Sequence, residues 1–109
     1  MNVTIIPSTE FNRQFKRLAK KYKSLLNDYL MLSKELKENP LQGDDLGGGV
    51  RKIRMAISSK GKGKSGGARV LTLNVLVNGD AEVTLLTIYD KNEIVSDEYI
   101  RWLVSTING

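Results

Sequence analysis

Five side chains between Lys52 and Lys91 have types that could do chemistry: Lys52, Arg54, Arg69, Tyr89 and Lys91. In the run VRKIRMAIS, Ile53, Met55 and Ile57 alternate with Lys52, Arg54 and Ala56, the period of a strand with one apolar face. Lys52 and Arg54 then share a face at a spacing of about 6.7 Å. Two cations held side by side repel each other. A carboxylate of the protein, water, or a bound phosphodiester relieves them, the guanidinium gripping as a fork and the ammonium as a point charge. Arg69 begins the next apolar run, ARVLTLNVLV, on the side of Leu71, Leu73 and Val75. That reads as the core side, and a bulge at Gly66-Gly67 would be one way to re-aim it. Tyr89 and Lys91 stand where TIYDKNE leaves the last strand, and Tyr89 reads equally as a capped core residue.

Composition narrows the chemistry further. The 109 residues include neither cysteine nor histidine. This excludes disulfides, thiol catalysis and zinc-finger ligation, and removes the commonest general base and metal ligand. Acid–base work falls to Lys, Arg, Tyr or carboxylates. The net charge is +5, and its placement is uneven. Between Leu46 and Gly79 lie seven cations, Arg51, Lys52, Arg54, Lys60, Lys62, Lys64 and Arg69, with no acid. Phe11 to Asn27 carries six more, again without an acid. Segregated positive charge points to a polyanionic partner, against the alternative of a solvated helix face and a mobile loop.

The loop SSKGKGKSGGAR, Ser58 to Arg69, imitates a nucleotide-binding P-loop at Gly63-Lys64-Ser65. The glycine required five positions earlier is Ser58, and a strand rather than a helix follows. Its lysines, Lys60, Lys62 and Lys64, are therefore expected to act as mobile point charges on a polyanion backbone, joined by Arg51.

The elements that position these groups follow from periodicity. Val3 to Ile6 is a short strand stopped by Pro7. Ser8 or Thr9 caps a helix with Glu10 in its first turn and Phe11, Phe15, Leu18 and Tyr22 on one stripe. A second helix spans about Ser24 to Glu38 on Leu25, Tyr29, Leu32 and Leu36, and Asn39-Pro40 ends it. PLQGDDLGGG is a connector without period. The strand VRKIRMAIS, the basic loop and the strand Ala68–Val77 follow, then Asn78-Gly79 as a hairpin turn and the strand Glu82–Tyr89. Ser96 caps a last helix that buries Ile100, Leu103 and Ile107, with Trp102 at the core's edge or in a partner interface. The order β-α-α-β-β-β-α gives an α+β fold, an antiparallel sheet with helices packed on one face, as one domain over 1–109. No run approaches the roughly 18 apolar residues of a membrane span, so a cytoplasmic protein is expected.

RKIRMAISSKGKGKSGGARV, followed by LLTIYDKNE, resembles the RelE/ParE superfamily of bacterial toxins, closest to its RelE-like and HigB-like branch. FNRQFKRLAKKYKSLLNDYLMLSKEL and the step Pro40–Gly43 are similar to that family's helical hairpin and connector. The resemblance implies a RelE-like fold and ribosome-dependent cleavage of messenger RNA by attack of a 2′-hydroxyl on the neighbouring phosphate. It implies no cofactor or metal. It also implies a cognate antitoxin, often a helix-turn-helix DNA-binding protein, besides the ribosome and mRNA. By position, Lys52 and Arg54 match the family's paired basic residues, Arg69 its phosphate-binding arginine, and Lys91 falls in its basic segment after the last strand. The RelE members' further arginine falls at Asn92, and their C-terminal tyrosine near Glu98, beside Tyr99. The acid–base partner thus stays open among Tyr89, Tyr99 and Lys91. A gyrase inhibitor of the ParE kind and a non-catalytic RNA-binding module are the rival expectations.

Overall fold

The structure, a computed structural model, describes residues 1–108. The chain runs β1 (Val3–Pro7), α1 (Thr9–Ala19), α2 (Leu25–Glu38), β2 (Asp44–Gly47), β3 (Val50–Met55), β4 (Ala68–Val77), β5 (Asp80–Asp90) and α3 (Asp97–Asn108). This is the expected α+β order with one strand added. β2 escapes sequence reading because its four residues are all exposed, so no apolar alternation marks them.

The sheet has the order β1-β5-β4-β3-β2. β2 to β5 pair antiparallel, whereas β1 joins β5 in parallel, Val3 facing Ala81 and Pro7 facing Leu85, which makes the sheet mixed. The two helices between β1 and the rest of the sheet supply the long connection that parallel pairing allows. Asn78 and Gly79 turn between β4 and β5 with φ of 53° and 82°, the two-residue reversal that the sequence announces.

Local chemistry starts and stops the helices. The Ser8 side chain accepts from the Phe11 N–H at 3.0 Å and caps α1. Asn39, which leaves the helical region before Pro40 with φ of −140° and ψ of 86°, ends α2. Ser96 caps α3 by accepting from the Tyr99 N–H at 3.1 Å.

Strand alternation divides the apolar residues into two clusters. On one face Ile53, Met55, Ala68, Val70, Val83, Leu85 and Ile88 pack under Phe11, Leu18, Leu25, Leu32 and Leu36 of the α1–α2 hairpin. Residues of the opposite parity, Val50, Leu71, Leu73 and Leu86, pack with Leu103 of α3 and with the partly buried Tyr99, Ile100 and Val104. Burial of each such side chain contributes about 1.5–3 kcal/mol. α3 outruns its cluster, whose members end at Val104, so Ile107 is 38% exposed rather than buried as expected. Trp102 is also half exposed and stacks on Tyr99 at 5.8 Å.

One irregularity decides which face Tyr89 takes. Leu71 faces Thr87 and Thr72 faces Leu85, so Leu86 bulges out of register. Unbroken alternation from Val83 and Leu85 would send Thr87 and Tyr89 into the hairpin core. The extra residue reverses the parity, and Tyr89 emerges on the face of Arg69 and Leu71.

No helix among the described residues is long and apolar enough to cross a membrane.

Candidate active site

Arg54 of β3 pairs directly with Arg69 of β4, and Arg69 with Tyr89 of β5. The three side chains therefore form one row across adjacent strands, with directly opposed Cβ atoms about 4.5–5.5 Å apart. Lys52 stands on the same face one step along β3, opposite Leu71. The apolar cluster under α3 occupies the rest of that face, so a partial core and a charged row share one surface. Sequence alternation places Arg69 with Leu71 and Leu73 correctly. No bulge at Gly66-Gly67 is needed, because Lys52 and Arg54 lie on that face too.

None of the four ion pairs among the described residues involves Lys52, Arg54, Arg69 or Lys91. Two guanidinium groups on facing positions without a carboxylate repel, and a bound anion removes that cost. Arg54 is exposed, while Lys52, Arg69 and Tyr89 are half-buried. Burial raises the Tyr89 hydroxyl above its ordinary pKa, and the charge of Arg69 opposes this. The hydroxyl is therefore protonated at neutral pH, a donor rather than a base. Lys91 is exposed just past the end of β5, its backbone N–H donating to the Gly67 carbonyl at 3.1 Å.

The basic loop is more anchored than expected. Lys60 is not a free point charge: its ammonium donates to Asp90 Oδ1 and to the Gly66 carbonyl, both at 3.0 Å, and lies 5.1 Å from the Tyr22 ring centre. Asp90 is buried, which raises its pKa, but hydrogen bonds from Tyr22 and Lys60 outweigh burial and hold it at about 2. A short 3-10 turn, Ser58–Lys60, is pinned to α2, since Ser58 donates to Asp28 through its N–H at 3.0 Å and its hydroxyl at 2.5 Å. The Ser59 N–H donates to Ser24 Oγ at 2.9 Å. At the far end the Arg69 guanidinium donates to the carbonyls of Lys64, Ala68 and Ser65 at 3.2–3.3 Å, bracing the returning chain. Gly67 lies so close to β3 that a Cβ there would stand 2.0 Å from the Met55 carbonyl oxygen. Lys62 and Lys64 are left exposed on the outer turn.

Arg51 departs from expectation as well. It has the parity of Ile53, away from the row, and binds the Gly43 carbonyl at 3.0 Å and Asp45 at 3.8 Å. The structure thus unites Arg54, Arg69 and Tyr89, puts Lys52 and Lys91 at the margins of the row, and withdraws Arg51 and Lys60.

Sequence reasoning missed the far side of Tyr89. There a cleft of about 390 Å3 runs between α1 and the loop joining β5 to α3. Glu10 lines it, with the Arg13 fork on its two oxygens at 2.8 and 2.9 Å. That contact lowers the Glu10 pKa most, burial opposes it, and the Tyr99 hydroxyl at 2.6 Å and Gln14 at 3.2 Å add to it, leaving about 2. Burial, and then donation to Glu10, raise the Tyr99 pKa. Tyr99 is thereby committed to Glu10 and withdrawn from the acid–base candidates. Arg17 grips Glu93 at 2.8 and 3.0 Å and ties α1 to the loop. These partners are 76 to 89 residues apart in the chain, and no local pattern announces them.

A family model described as the RelE toxin of the RelE / RelB toxin-antitoxin system matches residues 10–100.

Proposed function

This chain belongs to the RelE toxin family, and from that premise we propose that it is a ribosome-dependent endoribonuclease that cleaves messenger RNA and stops translation. The observation that carries this reading is the row Arg54–Arg69–Tyr89, two guanidinium groups and a protonated phenol with no carboxylate among them. A protein that inhibits another by surface contact has no need of such a row; a phosphodiester does.

In this mechanism Arg54 and Arg69 hold the non-bridging oxygens of the scissile phosphate and stabilise the charge that grows on them. The 2′-oxygen of the preceding ribose attacks phosphorus, and the P–O5′ bond breaks. Lys52 or Lys91 assists removal of the 2′-hydroxyl proton. Tyr89, kept protonated by burial, gives its proton to the departing 5′-oxygen. The products are a 2′,3′-cyclic phosphate and a 5′-hydroxyl. Lys62 and Lys64 contact ribosomal or messenger phosphates without reading sequence. The reaction belongs in the cytoplasm, where ribosomes are. The partner that restrains it is a cognate antitoxin of the helix-turn-helix, DNA-binding kind.

The test is inducible expression with two reporter transcripts, identical except that one lacks its start codon. New 5′ ends are mapped for the wild-type chain and for Lys52→Ala/Arg54→Ala/Arg69→Ala. Cuts only in the translated transcript, absent from the variant, are expected. Cuts in both transcripts would refute ribosome dependence. Arrest without cuts would move the assignment to gyrase.

A further inference from the structure

Beyond Tyr89 the row opens into the cleft between α1 and the β5–α3 loop, and we propose that this cleft is a nucleobase subsite. Its existence rests on the reading of the row as a phosphodiester site. Its volume, about 390 Å3, lies in the range of small-ligand pockets, about 300–1,000 Å3. Tyr89 is both the last member of the row and a wall of the cleft, so a nucleotide whose phosphate lies on Arg54 and Arg69 has its neighbouring base within reach.

Three features fit a base rather than another ligand. The walls suit a flat ring: the Tyr89 ring on one side, and on the rim Ile94, an apolar side chain that is 98% exposed and has nothing of this protein to cover it. Aromatic and apolar surfaces are the stacking platforms of single-stranded RNA readers. The charge is compatible as well, because Arg13 and Arg17 neutralise the two carboxylates of the cleft, Glu10 and Glu93. The third feature is a readable polar edge. Gln14 Nε2 donates one hydrogen to Glu10, and Gln14 Oε1 accepts from Arg17 Nε at 2.8 Å. This leaves one N–H and one oxygen lone pair on an amide whose plane those two contacts fix. A fixed carboxamide donor and acceptor is the pair that reads a base edge. Gln14 therefore sets which base is accepted, and Ile94 closes over it.

The test is a titration of the full chain, followed by backbone and methyl NMR, with the non-cleavable 2′-O-methyl dinucleotides ApA, CpC, GpG and UpU. Shifts are expected at Gln14, Ile94 and Val95 together with Arg54 and Arg69. The four affinities should span about tenfold, the scale of one stacked and read base. Gln14→Leu should shrink that span to about twofold while the Arg54 and Arg69 shifts persist. Ile94→Asp, at a solvent-exposed position that folding does not need, should weaken all four about fivefold. Shifts confined to Arg54 and Arg69, or a span unchanged in Gln14→Leu, would overturn the subsite and leave the phosphodiester row standing. Shifts in the cleft alone would refute the row and with it the cleft's place as a subsite beside the scissile phosphate. No shifts in either place would overturn both.

Discussion

Three lysines of one loop should behave as two different kinds of residue. Lys60 and Asp90 side chains are 14% and 9% exposed and meet at 3.0 Å. Removing the ammonium by Lys60→Ala leaves a buried carboxylate held only by Tyr22 and by the Asn92 N–H. Loss of one partner from a buried pair costs about 3–5 kcal/mol, and the surviving hydrogen bonds put this case near the lower end, about 3 kcal/mol. With a urea slope of about 1.5 kcal/mol/M, the midpoint falls by about 2 M. Lys62→Ala and Lys64→Ala, at exposed positions, should stay within about 0.5 kcal/mol of wild type. They should instead weaken RNA binding and flatten its salt dependence. Urea unfolding followed by circular dichroism and by Trp102, the one tryptophan, measures all three variants.

The pH dependence sharpens the prediction. Asp90 is held at about 2, below its ordinary 3.8, so its contribution is complete above pH 3.8 and is lost as the pH falls toward 2. The stability gap between wild type and Lys60→Ala should therefore narrow over that window, since a protonated Asp90 no longer needs the cation. Equal midpoints for Lys60→Ala and Lys62→Ala at pH 7 would refute the division of the loop into an anchored half and a free half.

Other consequences follow from single contacts. Tyr89→Phe keeps the ring but not the proton, and single-turnover cleavage of ribosome-bound message should slow by about 100-fold or more; an unchanged rate would remove Tyr89 from proton transfer. Glu10, held at about 2 instead of 4.5, contributes stability that is present above pH 4.5 and lost on acidification toward pH 2. Acid unfolding of Glu10→Gln should accordingly start from lower stability and be shallower across that window. Gly67→Ala drives a methyl into the Met55 carbonyl and should lower stability by at least ~2 kcal/mol in the same urea assay, with no gain in loop order able to offset it.

Much of this protein is legible in one dimension. The helical stripes of Phe11, Phe15, Leu18 and of Leu25, Leu32, Leu36, the caps at Ser8 and Ser96, and the Asn78-Gly79 turn are all decided by residues within a few positions of each other. They give the order of every element but β2. The absence of histidine and cysteine leaves any acid–base chemistry to Lys, Arg, Tyr or carboxylates, and the sequence resemblance agrees with the family match over residues 10–100. Three things were left to tertiary structure. Register set Arg54 against Arg69 and Arg69 against Tyr89, and register is a property of two strands, not of one. The Leu86 bulge reversed the parity of β5, which strand alternation alone reads the other way. Burial sorted the cations. Lys60 and Arg51 have the same local surroundings of glycine and charge as their neighbours, yet they bind acceptors at Asp90 and Gly43. Residue type determines which chemistry is available; only the pairing of distant strands determines which residues stand together.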